Sequence, residues 1–260
     1  MSGAPRLGAL LEDLRAEQAD LRTLVEGADL DAATPARPWD VRDAIAHLAG
    51  SDAEAAKAAT DPERFLAELP AVAADIDGFL TGQLTDRRTL PPGQLLKSWQ
   101  AGFDAMTAAF ADLAPGTKVP WYGPPMSPAS FATARLMEYW AHGQDVADGL
   151  GVVRTPTARL RHVCHLGVRT RGFSYVVRGL PVPAGEVRVE LSAPDGGTWE
   201  WGPAGGDAVT GPALDFCLLV TQRRHRADLD LVAHGPLADA WLDVAQCFAG
   251  PPGPGREPQR

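Results

Sequence analysis

The sequence predicts an α+β protein, with a helical bundle at the N-terminus and a smaller domain of helices and strands behind it. Apolar residues recur at helical spacing through most of the first 150 residues. From about residue 152 this pattern gives way to the alternating segments EVRVELSAP and TWEWGP, which flank a Gly–Gly pair at 196–197. The 260 residues are 45% hydrophobic and 22% charged, which is typical of a globular protein and excludes wholesale disorder.

The N-terminal half is built from amphipathic segments that are separated by proline-containing breaks. Pro35 and Pro38 interrupt the first such pattern, and Asp40 is a suitable cap for the helix that follows. Each segment carries apolar residues three or four positions apart, so each has one face to bury. Helices are therefore expected over residues 6–27, 40–58, 61–82, 93–114 and 128–150.

The C-terminal half combines helices with a hairpin made by the two alternating segments. The stretch DLDLVAHG also alternates as a strand does. Helices are expected over residues 156–178, 211–225 and 236–249. The predicted division is a bundle over 1–152, a smaller domain with its connecting helix over 153–250, and a Pro/Gly-rich tail over 251–260 that we expect to be disordered.

Charge, cysteine usage and hydropathy exclude several classes of protein. A net charge of −9 argues against a nucleic-acid partner, because such proteins need a basic face. No apolar run approaches 18 residues and the N-terminus lacks the core of a signal peptide, so we expect no membrane association. Three cysteines without a CxxC pair (Cys164, Cys217 and Cys247) fit a reduced, cytoplasmic chain.

One segment, RLMEYWAHGQDVADGLG, contains residues that can bind a metal. Glu138 and His142 lie four positions apart, so a helix presents them on one face, and Asp145 joins that face three residues later. His47, on the second helix, is another candidate ligand. Two histidines and one glutamate would leave one coordination position open, as catalytic zinc sites do. Spacing alone leaves the alternative that these are a chance pair and a core histidine.

The segments PWDVRDAIAHLAG and MEYWAHGQDVADGLG resemble the two signature helices of the DinB-like, mycothiol-dependent maleylpyruvate isomerase family. The resemblance covers most of the chain and is strongest over 38–50 and 121–151. It implies a DinB-like four-helix bundle followed by a smaller α/β domain, and zinc or another divalent cation held by His47, Glu138 and His142. It also implies mycothiol as a thiol cofactor. The stretch VPWYGPPMSPASFATARLMEYWAHGQDVADGLG is similar to an actinobacterial branch of the family that is often labelled only as metal-binding.

Three further residues of the first domain are candidates for roles beside the metal. Asp145 is placed where it could orient an imidazole and assist catalysis, the alternative being a solvent-facing charge. Trp121 and Tyr122 lie in the proline-rich loop before the ligand helix and could line a cofactor pocket, the alternative being that they pack on the bundle.

Four residues of the second domain are candidates for binding negatively charged groups. His165 and Arg169 share one face of the connecting helix and could bind the cofactor or substrate, although such a stripe is more often solvated. The resemblance implies a catalytic arginine in the C-terminal domain, which would be Arg223 or Arg224. The alternative is that both arginines only stabilise a helix C-terminus.

Three functions are consistent with these features. The first is a metal-dependent isomerase or S-transferase that activates a low-molecular-weight thiol for a small-molecule substrate. The second is a thiol-independent Lewis-acid enzyme for a cyclisation, elimination or hydrolysis in secondary metabolism. The third is a regulatory protein that binds a metal without catalysis. The sequence leaves the substrate and the oligomeric state open.

Overall fold

A computed structural model describes residues 7–253 and 255–259 of the chain. The chain divides into two compact units, with the division between Val153 and Arg154. The first unit is helical, and the second combines helices with a small mixed sheet, so the predicted α+β class is confirmed.

The first unit is a helical bundle with two additional helices on one side. Helices α1, α2, α5 and α6 contact one another and bury the apolar faces that the sequence predicts, while α3 and α4 pack on α2. The helices are α1 Leu7–Val25, α2 Val41–Thr60, α3 Pro62–Ala74, α4 Ile76–Arg88, α5 Pro92–Asp112 and α6 Pro128–Leu150.

The two helices that will matter most, α2 and α6, have well-defined ends. The Asp40 side chain accepts a hydrogen bond from the Asp43 backbone, and Asp43 reciprocates, which forms a capping box and confirms Asp40 as the cap of α2. Ser127 caps α6, and Gly151 ends it in the left-handed conformation at φ 68°. A Cβ at Gly149 would lie 2.8 Å from the Ala33 carbonyl oxygen, so the last turn of α6 packs directly on the segment before α2.

The single helix expected over 61–82 is wrong, because the chain forms two helices there. Asp75 adopts a non-helical conformation (φ −149°, ψ 70°) at the end of α3. Its carboxylate then accepts a hydrogen bond from the Gly78 backbone and begins α4. Aspartate competes with helix continuation by this kind of local bond, and apolar periodicity does not register it.

The second unit contains a four-stranded sheet in the order β2-β1-β3-β4, with helices packed against it. Strands β1 and β2 form the predicted hairpin, and β1 pairs in parallel with β3, which pairs antiparallel with β4 in the alternating segment DLDLVAHG. The elements are α7 Leu160–Arg169, α8 Arg171–Val176, β1 Arg188–Ser192, β2 Thr198–Trp201, β3 Ala208–Pro212, α9 Ala213–Val220, β4 Val232–His234 and α10 Pro236–Leu242, with a 3₁₀ turn at Arg226–Asp228.

Two predicted helices of the second unit are wrong in extent. The bounds of each differ from the prediction where one residue changes the direction of the backbone. The helix expected over 156–178 is divided at Thr170, whose hydroxyl donates to the Leu166 carbonyl and also to that of Gln246. The helix expected over 211–225 begins only after β3, because Gly211 has φ 146° and approaches the Asp230 carbonyl too closely for a side chain. It ends at Val220, before Gln222 at φ 59°.

The last predicted helix, over 236–249, is also too long. Helix α10 ends at Leu242, after which the Cys247 backbone donates to the Val220 carbonyl at 2.8 Å. In the tail, residues 251–253 and 255–259 form neither helix nor strand, and the Gln259 backbone donates to Asp228. Residues 254 and 260 of that tail lie outside the described residues.

The three cysteines are buried thiols within the second unit. In the part of the chain that the structure describes, no helix combines the length and the apolar character that crossing a bilayer requires.

Candidate metal centre

The structure brings the three predicted ligands together on the facing sides of α2 and α6. The Nε2 atom of His47 lies 3.8 Å from Oε2 of Glu138, and the Nε2 atom of His142 lies 3.3 Å from the same oxygen. One nitrogen or oxygen from each of the three side chains falls within 4.8 Å of the others. Residues about ninety positions apart in the sequence therefore form one cluster.

This cluster follows from the antiparallel packing of α2 and α6. On α6, Glu138 and His142 are separated by four residues and so share a face. Further along α2 from His47, Asp52 pairs with Arg135, which precedes Glu138 on α6. The two contacts fix the direction and register of the helix pair.

The donor set and its geometry fit a divalent cation. In a tetrahedral zinc site with bonds of about 2.0–2.1 Å, neighbouring ligand atoms are about 3.3–3.4 Å apart. The distances of 3.3 and 3.8 Å to Glu138 match that requirement after small side-chain adjustments. The side chains of His47 and Glu138 are 23% and 24% exposed, so a fourth ligand can reach the site from solvent.

The protonation states of the cluster also suit a cation. Burial lowers the pKa of His47, and the nearby charges of His142 and Arg135 lower it further. Burial alone would raise the pKa of Glu138, but hydrogen bonds and charge interactions with the two histidines hold it well below its usual range. His47 is therefore neutral and Glu138 ionised at neutral pH, which are the forms that bind metals.

Asp145 lies on the other side of His142. Its Oδ2 atom is 3.5 Å from Nδ1 of His142, whereas Nε2 of that ring faces Glu138. Asp145 is 1% exposed, so it is not a solvent-facing charge. A carboxylate that faces the second ring nitrogen fixes the orientation of a ligating imidazole and increases its basicity.

Trp39 is a member of the site that was not among the residues predicted from the sequence. Its ring centroid lies 5.1 Å from that of His47 and 5.5 Å from that of His142, and it stacks on the latter at 28°. The only signal for it in the sequence is its position eight residues before His47, in the segment on which the family resemblance rests.

A second unpredicted feature is a buried polar network beside the cluster. The Tyr139 hydroxyl donates to Asp52 and accepts a 2.7 Å hydrogen bond from the Trp99 indole nitrogen. Arg135 donates to the other oxygen of Asp52 at 3.0 Å. The network joins α2, α5 and α6, and its four residues are at most 3% exposed. Ion pairs can be recognised in a sequence when both residues lie four positions apart on one helix. Asp52 and Arg135 lie on different helices, so the sequence did not indicate this network.

Trp121 and Tyr122 lie farther along the bundle. The Trp121 ring is 4.6 Å from Phe131, and the Tyr122 hydroxyl donates to Glu54 at 3.0 Å. These partners are seven residues from Glu138 and His47 on their helices, which is two turns or about 10 Å. The contacts match the alternative in which both aromatic residues pack on the bundle.

The other four candidates belong to the second unit. His165 is exposed and accepts a 3.3 Å hydrogen bond from the Trp201 indole. Partial burial lowers its pKa, and so do the charges of Arg169 and of other basic residues on α7, which therefore lie near it. Arg223 and Arg224 follow α9 rather than ending it, and their guanidinium groups donate to the carbonyls of Thr221 and Arg223.

Comparisons with known proteins identify the family of the chain and agree with the observed fold. The family model described as "Mycothiol maleylpyruvate isomerase N-terminal domain" matches residues 11–147, more than half of the chain. Two proteins of Mycobacterium tuberculosis, both called uncharacterized (MT0041 of strain CDC 1551 / Oshkosh and Rv0036c of strain ATCC 25618 / H37Rv), are 47% identical over 253 residues, which is 96% of this chain and 98% of theirs.

Two solved structures share the fold at low sequence identity. The crystal structure of the mycothiol-dependent maleylpyruvate isomerase is 16% identical, with a TM-score of 0.57 over 89% of this chain and 95% of that one. A point mutant of that enzyme is 15% identical, with a TM-score of 0.59 over the same shares. The similarity therefore extends over both units of the chain. At these identities it shows only that the fold is shared.

Proposed function

Because this chain belongs to the family of the mycothiol maleylpyruvate isomerase N-terminal domain, we propose that it is an enzyme that uses a divalent cation and a low-molecular-weight thiol to convert a small molecule. The observation that carries the proposal is the cluster of His47, Glu138 and His142, whose ligand atoms lie within 4.8 Å of one another. We further propose zinc as the cation and mycothiol as the thiol.

The residues of the cluster support catalysis more than a purely structural site. Structural zinc sites have four protein ligands and are usually rich in cysteine, whereas this cluster offers two imidazoles and one carboxylate. A bound cation would supply Lewis acidity and lower the pKa of a thiol at the open position. Glu138 contributes one negative charge, so a thiolate can be accommodated without excess negative charge at the site.

The surrounding side chains would hold the ligands in place. Asp145 faces Nδ1 of His142 and would fix the ring so that Nε2 points towards the cation. Trp39 covers both imidazoles with an apolar ring and would exclude water from that side. Arg135, whose guanidinium is buried near Glu138 on α6, favours the ionised carboxylate.

The proposed reaction is either isomerisation assisted by the thiol or transfer of the thiol to an electrophilic carbon. Both begin with a deprotonated sulfur, so the cluster supports either. For a negatively charged substrate group we propose Arg223 or Arg224, and we retain Trp121, Tyr122, His165 and Arg169 as candidates for cofactor binding. Replacing each of these residues singly should raise KM for substrate or thiol.

The first experiment is a metal analysis by mass spectrometry on chain purified without chelator, together with His47→Ala, Glu138→Ala and His142→Ala. We expect close to one zinc per chain, lost in each variant. The matched control is His234→Ala, which removes an exposed imidazole of the second unit and should retain the metal. A well-folded protein that does not bind zinc, even when zinc is added, would contradict the proposal.

Thiol use is tested separately by calorimetric titration of mycothiol into the zinc-loaded chain. We expect saturable binding that is absent from the His142→Ala variant. Zinc binding without thiol binding would reject the thiol part of the proposal and favour a thiol-independent Lewis-acid enzyme.

A further inference from the structure

The second unit contains a cleft of about 600 Å³ whose lining is rich in arginine. Its volume is within the range of small-molecule sites. The charged residues that line it are Arg178, Arg224, Arg226, Arg256, Asp239 and Asp243. The chain has a net charge of −9, yet arginines outnumber carboxylates two to one among the described residues that line this cleft.

The two aspartates of the cleft are already neutralised by one arginine. Arg226 donates from Nη2 to Asp239 and from Nη1 to Asp243, both at 2.5 Å. These carboxylates are 64% and 63% exposed, which places them at the edge of the cleft. They therefore do not compensate the charge of Arg178, which lines the same cleft.

Arg178 is the lining arginine on which the inference rests. Among the described residues, its Nη1 atom donates to the Ser174 carbonyl at 3.0 Å and to Oε1 of Gln246 at 3.3 Å, both of which are neutral acceptors. Burial lowers the pKa of Arg178, and no carboxylate opposes that shift. Capping the α8 carbonyl uses one nitrogen of the guanidinium, which leaves Nε and Nη2 for a ligand.

Gln246 holds two side chains of the cleft, Arg178 and Gln222, in place before any ligand binds. Gln246 is 1% exposed, and its amide nitrogen donates to the carbonyls of Phe248 and Gly250 at 3.1 Å. Its Oε1 atom accepts from Arg178 and from Gln222, so it positions both. Gln222 has φ 59°, a strained conformation for a residue with a side chain and one that is often maintained for function.

From this geometry we propose that the cleft binds the carboxylate or phosphate group of a small anionic metabolite, with Arg178 as the principal donor and Gln222 as a second one. A guanidinium fork recognises both kinds of oxyanion through paired N–H donors. The site lies within the second unit and shares no residue with the His47, Glu138 and His142 cluster. Arg224, one of the two arginines proposed above for a substrate group, lines the same cleft. Arg178 and Gln222 have no part in that proposal, so the inference goes beyond it.

The test is calorimetric titration of the full chain with inorganic phosphate and, separately, with succinate, at constant ionic strength. We expect saturable binding of at least one anion, weakened at least tenfold in Arg178→Gln. Tighter binding of phosphate would indicate a phosphorylated metabolite, and tighter binding of succinate a carboxylate. The matched control is Arg161→Gln, which removes an exposed arginine of α7 outside the cleft lining and should bind as the parent does.

A second variant keeps the test valid if Arg178→Gln fails to fold. Gln222→Gly relieves the strained backbone, because glycine adopts positive φ freely. We expect this variant to melt at a higher temperature than the parent and to bind the anion several-fold more weakly. Absence of saturable binding in the parent, or equal affinity in the folded cleft variants, would overturn the proposal.

Discussion

At the scale of single residues, the protonation states of His47 and Glu138 suit a cation at neutral pH. His47 has a lowered pKa, so it carries no proton at neutral pH that a metal would have to displace. Glu138 remains ionised well below its usual pKa. At these two ligands the cation therefore competes with protons only under acidic conditions.

This predicts a characteristic dependence of zinc affinity on pH. The affinity should be nearly constant from pH 8 to 7 and should fall below about pH 6.5, the ordinary pKa of histidine, as His47 becomes protonated. The sign follows from the shift, because a lowered pKa extends the neutral form to lower pH. Competition with a chromophoric chelator across this range measures it, and a decline that begins between pH 8 and 7 would contradict it.

Trp39 gives a second prediction at this scale. An aromatic pair contributes about 0.5–1.5 kcal/mol beyond its buried area, and Trp39 contacts both imidazoles. Trp39→Ala should therefore weaken zinc binding roughly tenfold, while Trp39→Phe should recover part of the loss. Trp201→Ala, in the second unit, is the control. Zinc affinity of Trp39→Ala equal to that of the parent would show that the rings need no support from the indole.

At the scale of elements, the pairing of α2 with α6 produces the site. Arg135 and Tyr139 lie on either side of Glu138 in α6, and both bind Asp52 of α2. Burying this ion pair costs desolvation, which the hydrogen bonds of Tyr139 and Arg135 offset in part. Since a slip of one helical turn would break these bonds and separate His47 from Glu138, the network holds the register that the metal cluster requires.

Removing the Tyr139 hydroxyl tests this role. Tyr139→Phe leaves the Trp99 indole nitrogen without an acceptor and Asp52 with one hydrogen bond fewer. We expect the free energy of unfolding to fall by about 1–3 kcal/mol in urea titrations, because buried polar groups are left unpaired. Tyr122→Phe also loses a hydrogen bond, but from a hydroxyl of a residue that is 38% exposed, so it should cost less than about 1 kcal/mol. Equal losses in the two variants would argue against a special role of the network.

At the scale of the whole molecule, a cation that binds only the folded chain adds to its stability. The His47, Glu138 and His142 cluster exists only when α2 and α6 are packed, so metal binding and the folding of the first unit are linked. Stability should rise by about 1.4 kcal/mol for each tenfold increase of free zinc above its dissociation constant.

Thermal melts at buffered zinc concentrations measure this linkage. For a unit of about 150 residues, each kcal/mol shifts the melting temperature by about 2–4 °C. The transition of the parent should therefore move upwards with zinc and fall when a chelator is added. His142→Ala should not respond to zinc, and a response equal to that of the parent would place the metal elsewhere in the chain.

Much of the architecture could be predicted because its signals are local in the sequence. The apolar periodicity of α2, α5 and α6, the cap at Asp40 and the hairpin around Gly196 all depend on residues a few positions apart. The predicted helix bounds were wrong where a single residue interrupts the apolar periodicity. Asp75 divides one helix, Thr170 divides another, and Gly211 belongs to a strand that periodicity assigned to a helix.

The sequence by itself determined the helical bundle, the strand-containing second unit and the presence of Glu138 and His142 on one helical face. Only the tertiary structure decided that His47 completes the cluster, that Trp39 covers it and that Asp52 meets Arg135 across the bundle. The physical reason is that helical spacing is set by bonds within a few residues. Which faces meet is decided by the packing of whole helices, and that packing joins positions about ninety residues apart.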